Sequence, residues 1–186
     1  MAEPHAPVPG PMTVEQFFAM PDDGKRYELL DGVVEEVTAP TIRHQRVVTR
    51  LVVMLVRMLH ESGLGEVFVA PLDVVLGDRT VAQPDLLFVS NENARILNER
   101  NARGAPDLVI EVLSDSTRRK DVLRKRRLYA RAGVAWYWIV DPEIDRIEFL
   151  RLEGDDYAVV GRFEAPAVAE PPGFPSVRLD LAALFA

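Results

Sequence analysis

Apolar residues recur along this chain in two rhythms, and the changes between them mark out its elements. Over residues 43–62, Val47, Val48, Leu51, Val52, Leu55, Met58 and Leu59 return every three or four positions. That spacing predicts a long amphipathic helix, ended near Gly63. Beyond it the rhythm becomes that of strands, with β-rich runs at 66–76, 85–89 and 107–113 separated by Gly, Asn and Asp. The two later runs are apolar on both faces, as in the middle of a covered sheet. A buried strand at 135–140 is closed by Asp141-Pro142, and strands at 146–152 and 157–163 pair across Gly154-Asp155-Asp156. Near the start, Thr13 and Gln16 form a capping-box pattern for a short helix at 13–18. Tyr27-Glu28-Leu29-Leu30 and Val33-Val34-Glu35-Glu36-Val37 flank Asp31-Gly32, a dipeptide suited to a tight hairpin turn. A proline-rich connector at 166–175 leads to a short C-terminal helix at 179–185, capped by Asp180.

The chain has 186 residues, enough for one domain with a real core. Four prolines in the first eleven residues mark 1–11 as a flexible leader, so the single domain is expected at 12–186. No apolar stretch approaches the ~20 residues of a membrane span. Cysteine is absent, which excludes disulfides, thiolate metal sites and a cysteine nucleophile, and suits a reducing cytoplasm. His5, His44 and His60 stand apart from one another, so a metal would rest on oxygen donors.

The net charge of −7 is unevenly distributed. Residues 117–131 hold eight basic residues against the single acid Asp121, on a predicted helix at 116–132 stopped by Gly133. Lys120, Arg124, Arg127 and Arg131 form a continuous charged stripe on that helix, facing solvent or phosphate. Lys125 falls instead with Val122, Leu128 and Tyr129, on the face turned toward the sheet. Its ammonium reaches inward in one reading and pairs with Asp121 one turn back in the other.

Glu111 interrupts Leu108-Val109-Ile110 and Val112-Leu113 in what otherwise reads as a buried strand. A bare carboxylate there costs several kcal/mol, roughly, unless it is neutralised, paired or bound to a cation. It is either a strand-end or ion-paired group, or a ligand. Asp107 lies on the same strand, ~13 Å away, and is a strand-entry residue after Pro106. Asp85 begins another strand, and adjacent strands ~4.8 Å apart allow Asp85 and Glu111 to share a Mg²⁺ ion. Two carboxylates and a lysine beside a cationic helix suit phosphodiester hydrolysis, in which the ion polarises the phosphate and the lysine orients water or offsets charge. Trp136, Tyr137 and Trp138 read as core more readily than as base-stacking groups. His44 reads as a cap or surface residue more readily than as a general base, and Ser114 as a cap of the basic helix.

The order Tyr27-Glu28-Leu29-Leu30-Asp31-Gly32, His44-Gln45, Pro84-Asp85, Pro106-Asp107-Leu108-Val109-Ile110-Glu111-Val112-Leu113-Ser114, Lys125 with Tyr129, and Gly133-Val134 leading to Tyr137-Trp138-Ile139-Val140-Asp141-Pro142 resembles the Uma family of bacterial restriction endonucleases, within the PD-(D/E)XK nuclease superfamily. The resemblance implies an α/β fold, a restriction-endonuclease-like mixed sheet flanked by helices, with the N-terminal β-hairpin added. It implies cleavage of DNA with Mg²⁺, or Mn²⁺ in its place, by a protein that forms a homodimer or acts alone. Asp85 matches the motif aspartate and Glu111 the acidic residue of the second half-motif. Leu113 stands where the superfamily pattern has lysine, and Lys125, matching a lysine recurrent in the Uma family, replaces it from the helix. The alternative is a catalytically weak nuclease fold serving as a nucleic-acid-binding or partner-binding module.

Overall fold

The chain pairs its strands into three sheets, described here from a computed structural model that covers residues 10–114 and 120–186, with backbone only at Lys120 and Asp121. The elements in order are α1 (Val14–Phe18), β1 (Tyr27–Leu30), β2 (Val33–Glu36) and α2 (Ile42–Leu55), which a π-helical segment (Val56–His60) prolongs. Then come β3 (Gly65–Val69), β4 (Val74–Val75), β5 (Val81–Ala82), β6 (Leu86–Ser90), a 3-10 helix (Asn91–Ile96), β7 (Ala102–Arg103) and β8 (Leu108–Val112). The rest is α3 (Lys120–Ala132), β9 (Trp136–Asp141), β10 (Arg146–Glu153), β11 (Asp156–Glu164), β12 (Val168–Ala169), β13 (Leu179–Asp180) and α4 (Leu181–Phe185).

The main sheet runs β11-β10-β9-β8-β6-β3, the second β2-β1-β5-β4-β7, and β12 pairs with β13. The main sheet is mixed: β8 and β9 are parallel, with α3 lying between them in the chain, and the other pairs are antiparallel. Its two faces are covered differently. Val47, Val48, Leu51, Leu55 and Leu59 of the long helix pack with Leu108, Ile110, Val112, Trp138 and Phe149, and Leu181 and Leu184 of α4 complete that layer. On the other face Val109, Tyr137, Ile139 and Leu150 meet Leu128, Tyr129 and Ala130 of α3, together with Leu30 and Ala82 of the second sheet. This is the expected mixed α/β sheet flanked by helices.

The hairpin closes at Asp31 and Gly32, with φ of +53° and +80°, the left-handed geometry its two-residue turn requires. A Cβ at Gly32 would lie 2.4 Å from Cβ of Pro11, so glycine is needed for space as well. Of the expected leader, 1–9 lie outside the described residues, and by Met12 the backbone already bonds Gly32 O at 2.9 Å. The single strand expected over 66–76 is two: β3 ends before Pro71, which has no N–H to extend a ladder, and β4 joins the second sheet. The connector at 166–175 contains β12, which pairs with β13 at the foot of α4. Asp180 caps α4 by accepting from Ala183 N at 3.1 Å. Residues 115–119, and with them the expected start of the basic helix, lie outside the described residues.

Leu51 is fully enclosed, whereas Val53 on the same helix is 50% exposed. Leu51→Ala is expected to lower stability by about 2–5 kcal/mol through lost contacts and a residual cavity, and Val53→Ala by no more than ~0.5 kcal/mol. Urea unfolding followed by the fluorescence of buried Trp138 checks both.

Candidate active site

Strand alternation decides which way β8 points its side chains. Leu108, Ile110 and Val112 enter the layer under α2, and Val109 enters the layer under α3. Glu111 shares the parity of Val109 and is buried there, against α3. Its Oε1 accepts from the Tyr129 hydroxyl at 2.6 Å and lies 3.2 Å from Nζ of Lys125. The same ammonium is 3.1 Å from Oε1 of Glu28, which also accepts from Gln83 N at 2.7 Å. Glu28 lies on β1, where Leu29 and Leu30 beside it are fully buried. Lys125 thus joins three elements, β1, β8 and α3.

Asp85 directly precedes β6, whose Leu86 pairs with Ile110 of antiparallel β8. That register sets Asp85 opposite Glu111, on adjacent strands as the spacing argument required. Asp85 Oδ2 accepts from Val112 N at 2.8 Å and lies 3.2 Å from Nε2 of His44 in the first turn of α2. The Asp85 side chain keeps 20% of its surface exposed, against 11% for Glu111 and 9% for Lys125, so the cluster meets solvent at Asp85.

Burial pushes the Glu111 carboxyl up from its ordinary 4.5 to about 8. The Lys125 charge pulls it down, the charges of Asp85 and Glu28 push it up, and the Tyr129 hydroxyl lowers it again. Burial, and then the Glu111 charge, hold the Tyr129 hydroxyl well above its usual range. Two carboxylates here share one ammonium, and the charge of a third, Asp85, acts on Glu111. Their oxygens are the hard donors that Mg²⁺ and Mn²⁺ take, and the excess negative charge around Glu111 is what a divalent cation offsets. The donor set therefore fits such an ion, although among the described residues no three acidic or imidazole groups already stand as a cage.

Of the residues singled out in the sequence, Lys125 and Glu111 are in contact, and Asp85 is near enough for its charge to act on Glu111. Glu28, which contacts Lys125, was not weighed in the sequence reading, and His44, which contacts Asp85, was weighed only as a cap, a surface residue or a general base. Glu28 carries the signal that exposed Glu111, a carboxylate inside an apolar strand. His44 is neither a cap nor a surface residue: Thr41 caps α2, its hydroxyl accepting from His44 N, while the ring is buried on the phase of Val47, Val48 and Leu51. Asp107 is a strand-entry residue, its Oδ2 accepting from Ser90 N at 2.8 Å. Tyr137 and Trp138 are fully buried, and Trp136 stacks edge-on against Phe174, so these rings are core.

The cationic stripe is partly engaged within the fold. Arg124 pairs with Glu35 and Leu30 O, and Arg131, its side chain 59% exposed, pairs with Asp31 at 2.5 Å, so both contact the β1–β2 hairpin. The acids of the hairpin attract them because it packs alongside α3, a tertiary fact with no sequence signal. Arg127 is exposed, and the side chains of Lys120 and Asp121, with the proposed Lys125–Asp121 pair, lie outside the described residues, as does the start of α3 that Ser114 was expected to cap.

Among curated proteins no significant sequence match is found. A solved structure from Anabaena variabilis, reported as "a putative nuclease belonging to DUF820", superposes with a TM-score of 0.77 at 21% identity, covering 94% of this chain and 98% of that one. At that identity the likeness establishes the fold. The model of the Uma2 family, whose description reads "Putative restriction endonuclease", matches residues 14–182. That match takes in all three sheets, α3 and every residue of the carboxylate–lysine cluster, and the chain belongs to the Uma2 family.

Proposed function

We propose that this protein is a metal-dependent endonuclease that hydrolyses phosphodiester bonds in DNA. The observation that carries the reading is the buried ammonium of Lys125, 3.2 Å from the Glu111 carboxylate, with Asp85 on the adjoining strand, in a chain of a nuclease family. Asp85 and Glu111 would hold Mg²⁺ or Mn²⁺, which when bound polarises the phosphate and lowers the pKa of the attacking water. Lys125 favours the ionised form of Glu111 and adds a fixed positive charge beside the developing anion. Tyr129 fixes the Glu111 carboxylate from the same helix. Glu28 shares the ammonium and holds it in the cluster. Leu113 stands where a lysine is expected in the superfamily pattern, and the approach of Lys125 from the helix supports the view that it supplies that charge.

The direct test is cleavage of plasmid and short duplex DNA with Mg²⁺ or Mn²⁺. Asp85→Asn and Glu111→Gln are expected to abolish cutting, and Lys125→Ala to slow it at least ~100-fold, the scale for one electrostatic stabiliser. Cutting by Lys125→Ala at the wild-type rate would falsify its role. Wild-type protein that binds duplex DNA without cutting it, with either ion, would favour the binding-module alternative.

The raised Glu111 pKa sets a pH dependence in the metal-free protein. Because the folded state holds this proton more tightly than the unfolded chain, the contribution is complete below about 4.5 and is lost as pH rises through about 8. Wild type is therefore expected to lose stability over that window relative to Glu111→Gln, by at most ~1.4 kcal/mol per pH unit. Urea unfolding at a series of pH values in the presence of a chelator checks the sign; parallel profiles would remove Glu111 as the titrating group.

For the DNA backbone, α3 remains the proposed contact, through Arg127 and Lys120 ahead of the hairpin-bound Arg124 and Arg131. Arg127→Ala should reduce the slope of log affinity against log salt by about one. Arg124→Ala should leave the slope nearly unchanged and destabilise the fold instead. Titrations at several salt concentrations, using the non-cutting Asp85→Asn protein as background, distinguish the two.

A further inference from the structure

We infer that His44 is a positioning residue: its Nε2–H holds Oδ2 of Asp85, leaving Oδ1 as the oxygen that Asp85 offers to a bound cation. The inference rests on the reading of Asp85 as a cation ligand. His44 occupies the first turn of α2, on the face formed by Val47, Val48 and Leu51 at three, four and seven residues on. Only 6% of its surface is exposed. An apolar side chain would meet the packing demand of that position, and burying an imidazole there costs free energy unless its polar atoms are used.

The two ring nitrogens have different surroundings. Nε2 lies 3.2 Å from Asp85 Oδ2, whereas Nδ1 is buried with no hydrogen-bond partner among the described residues. A proton on Nδ1 would bury a donor without an acceptor and set the lone pair of Nε2 against that of Oδ2. A proton on Nε2 makes a hydrogen bond and leaves only a bare acceptor on the other side. The geometry therefore selects the Nε2–H tautomer.

Oδ2 then accepts two hydrogen bonds, from this ring and from Val112 N–H at 2.8 Å. The donors come from different elements, α2 and β8, and together they stop rotation of the carboxylate. Both are uncharged. An arginine or lysine at position 44 would orient Asp85 equally well but would neutralise the charge that attracts a cation. An imidazole and a peptide amide orient it and leave that charge available.

Two measurements test the inference. In metal-free wild-type protein, ¹⁵N NMR of the His44 ring should show Nε2 protonated and Nδ1 bare. In calorimetric titration with Mn²⁺, His44→Leu should bind about 10–100-fold more weakly than wild type, while His44→Gln, whose amide donates from nearly the position of Nε2, should stay within ~3-fold. Thermal unfolding establishes that each variant is folded. A ring protonated on Nδ1, or a folded His44→Leu protein that binds Mn²⁺ as tightly as wild type, overturns the inference. Wild type that binds no Mn²⁺ overturns the reading of Asp85 beneath it, an outcome told apart from failure of His44 itself by the ring spectrum, which requires no ion.

Discussion

The ammonium of Lys125, held between Glu28 and Glu111 inside the layer beneath α3, is the interaction on which the site depends. Removing a lysine and two carboxylates from water costs several kcal/mol per ion, and mutual attraction returns that only where every charge is met. Well-packed apolar residues in the same space would give a core at least as stable. The cluster is therefore poor evidence of stabilisation. Its geometry also binds the architecture together, since its carboxylates come from different sheets and its ammonium from the helix between β8 and β9.

An ammonium at a fixed place requires a helix at a fixed place, and the arginines around Lys125 meet that requirement. Arg124 and Arg131 tie α3 to the β1–β2 hairpin, and Arg126 ties it to Asp156 and Tyr157 O on the far hairpin. Each exposed pair contributes little alone. Acting on opposite sides of one helix, they oppose its rotation about its own axis, the motion that would carry Lys125 out from between its partners. The positive charge concentrated in α3 thus serves docking as well as any attraction for a polyanion.

The parts of this arrangement that local pattern governs were legible in the sequence. Glu111 was conspicuous because β8 is otherwise apolar on both faces, Asp85 because it begins a neighbouring strand, and Lys125 because helical phase put it with Val122, Leu128 and Tyr129. Glu28 carried the same signal in a shorter setting, where one acid among four residues of a hairpin reads as ordinary alternation. His44 lay on the phase of Val47, Val48 and Leu51, but its position near the helix start suggested a cap, and only the hydroxyl of Thr41 taking that role redirects it. The two-residue strands β4, β5 and β7 were beyond local reading, because their existence follows from partners distant in sequence. The docking of Arg124 and Arg131 was hidden for the same reason.

The two carboxylates at the centre differ in how they are held, and burial sets the difference. Asp85 meets solvent and is fixed by the Val112 amide and the His44 ring, donors that bring no formal charge. Glu111 is enclosed, held by an ammonium and a phenol, and burial raises its pKa to about 8. Of the two, Asp85 is therefore the carboxylate open to approach from water. A divalent cation, were one bound there, would favour the ionised form of Glu111 through its charge. Lys125, already beside Glu111, acts in the same direction. Burial favours the protonated carboxyl and the Lys125 charge the ionised one, so the charge on Glu111 is set by the balance of the two.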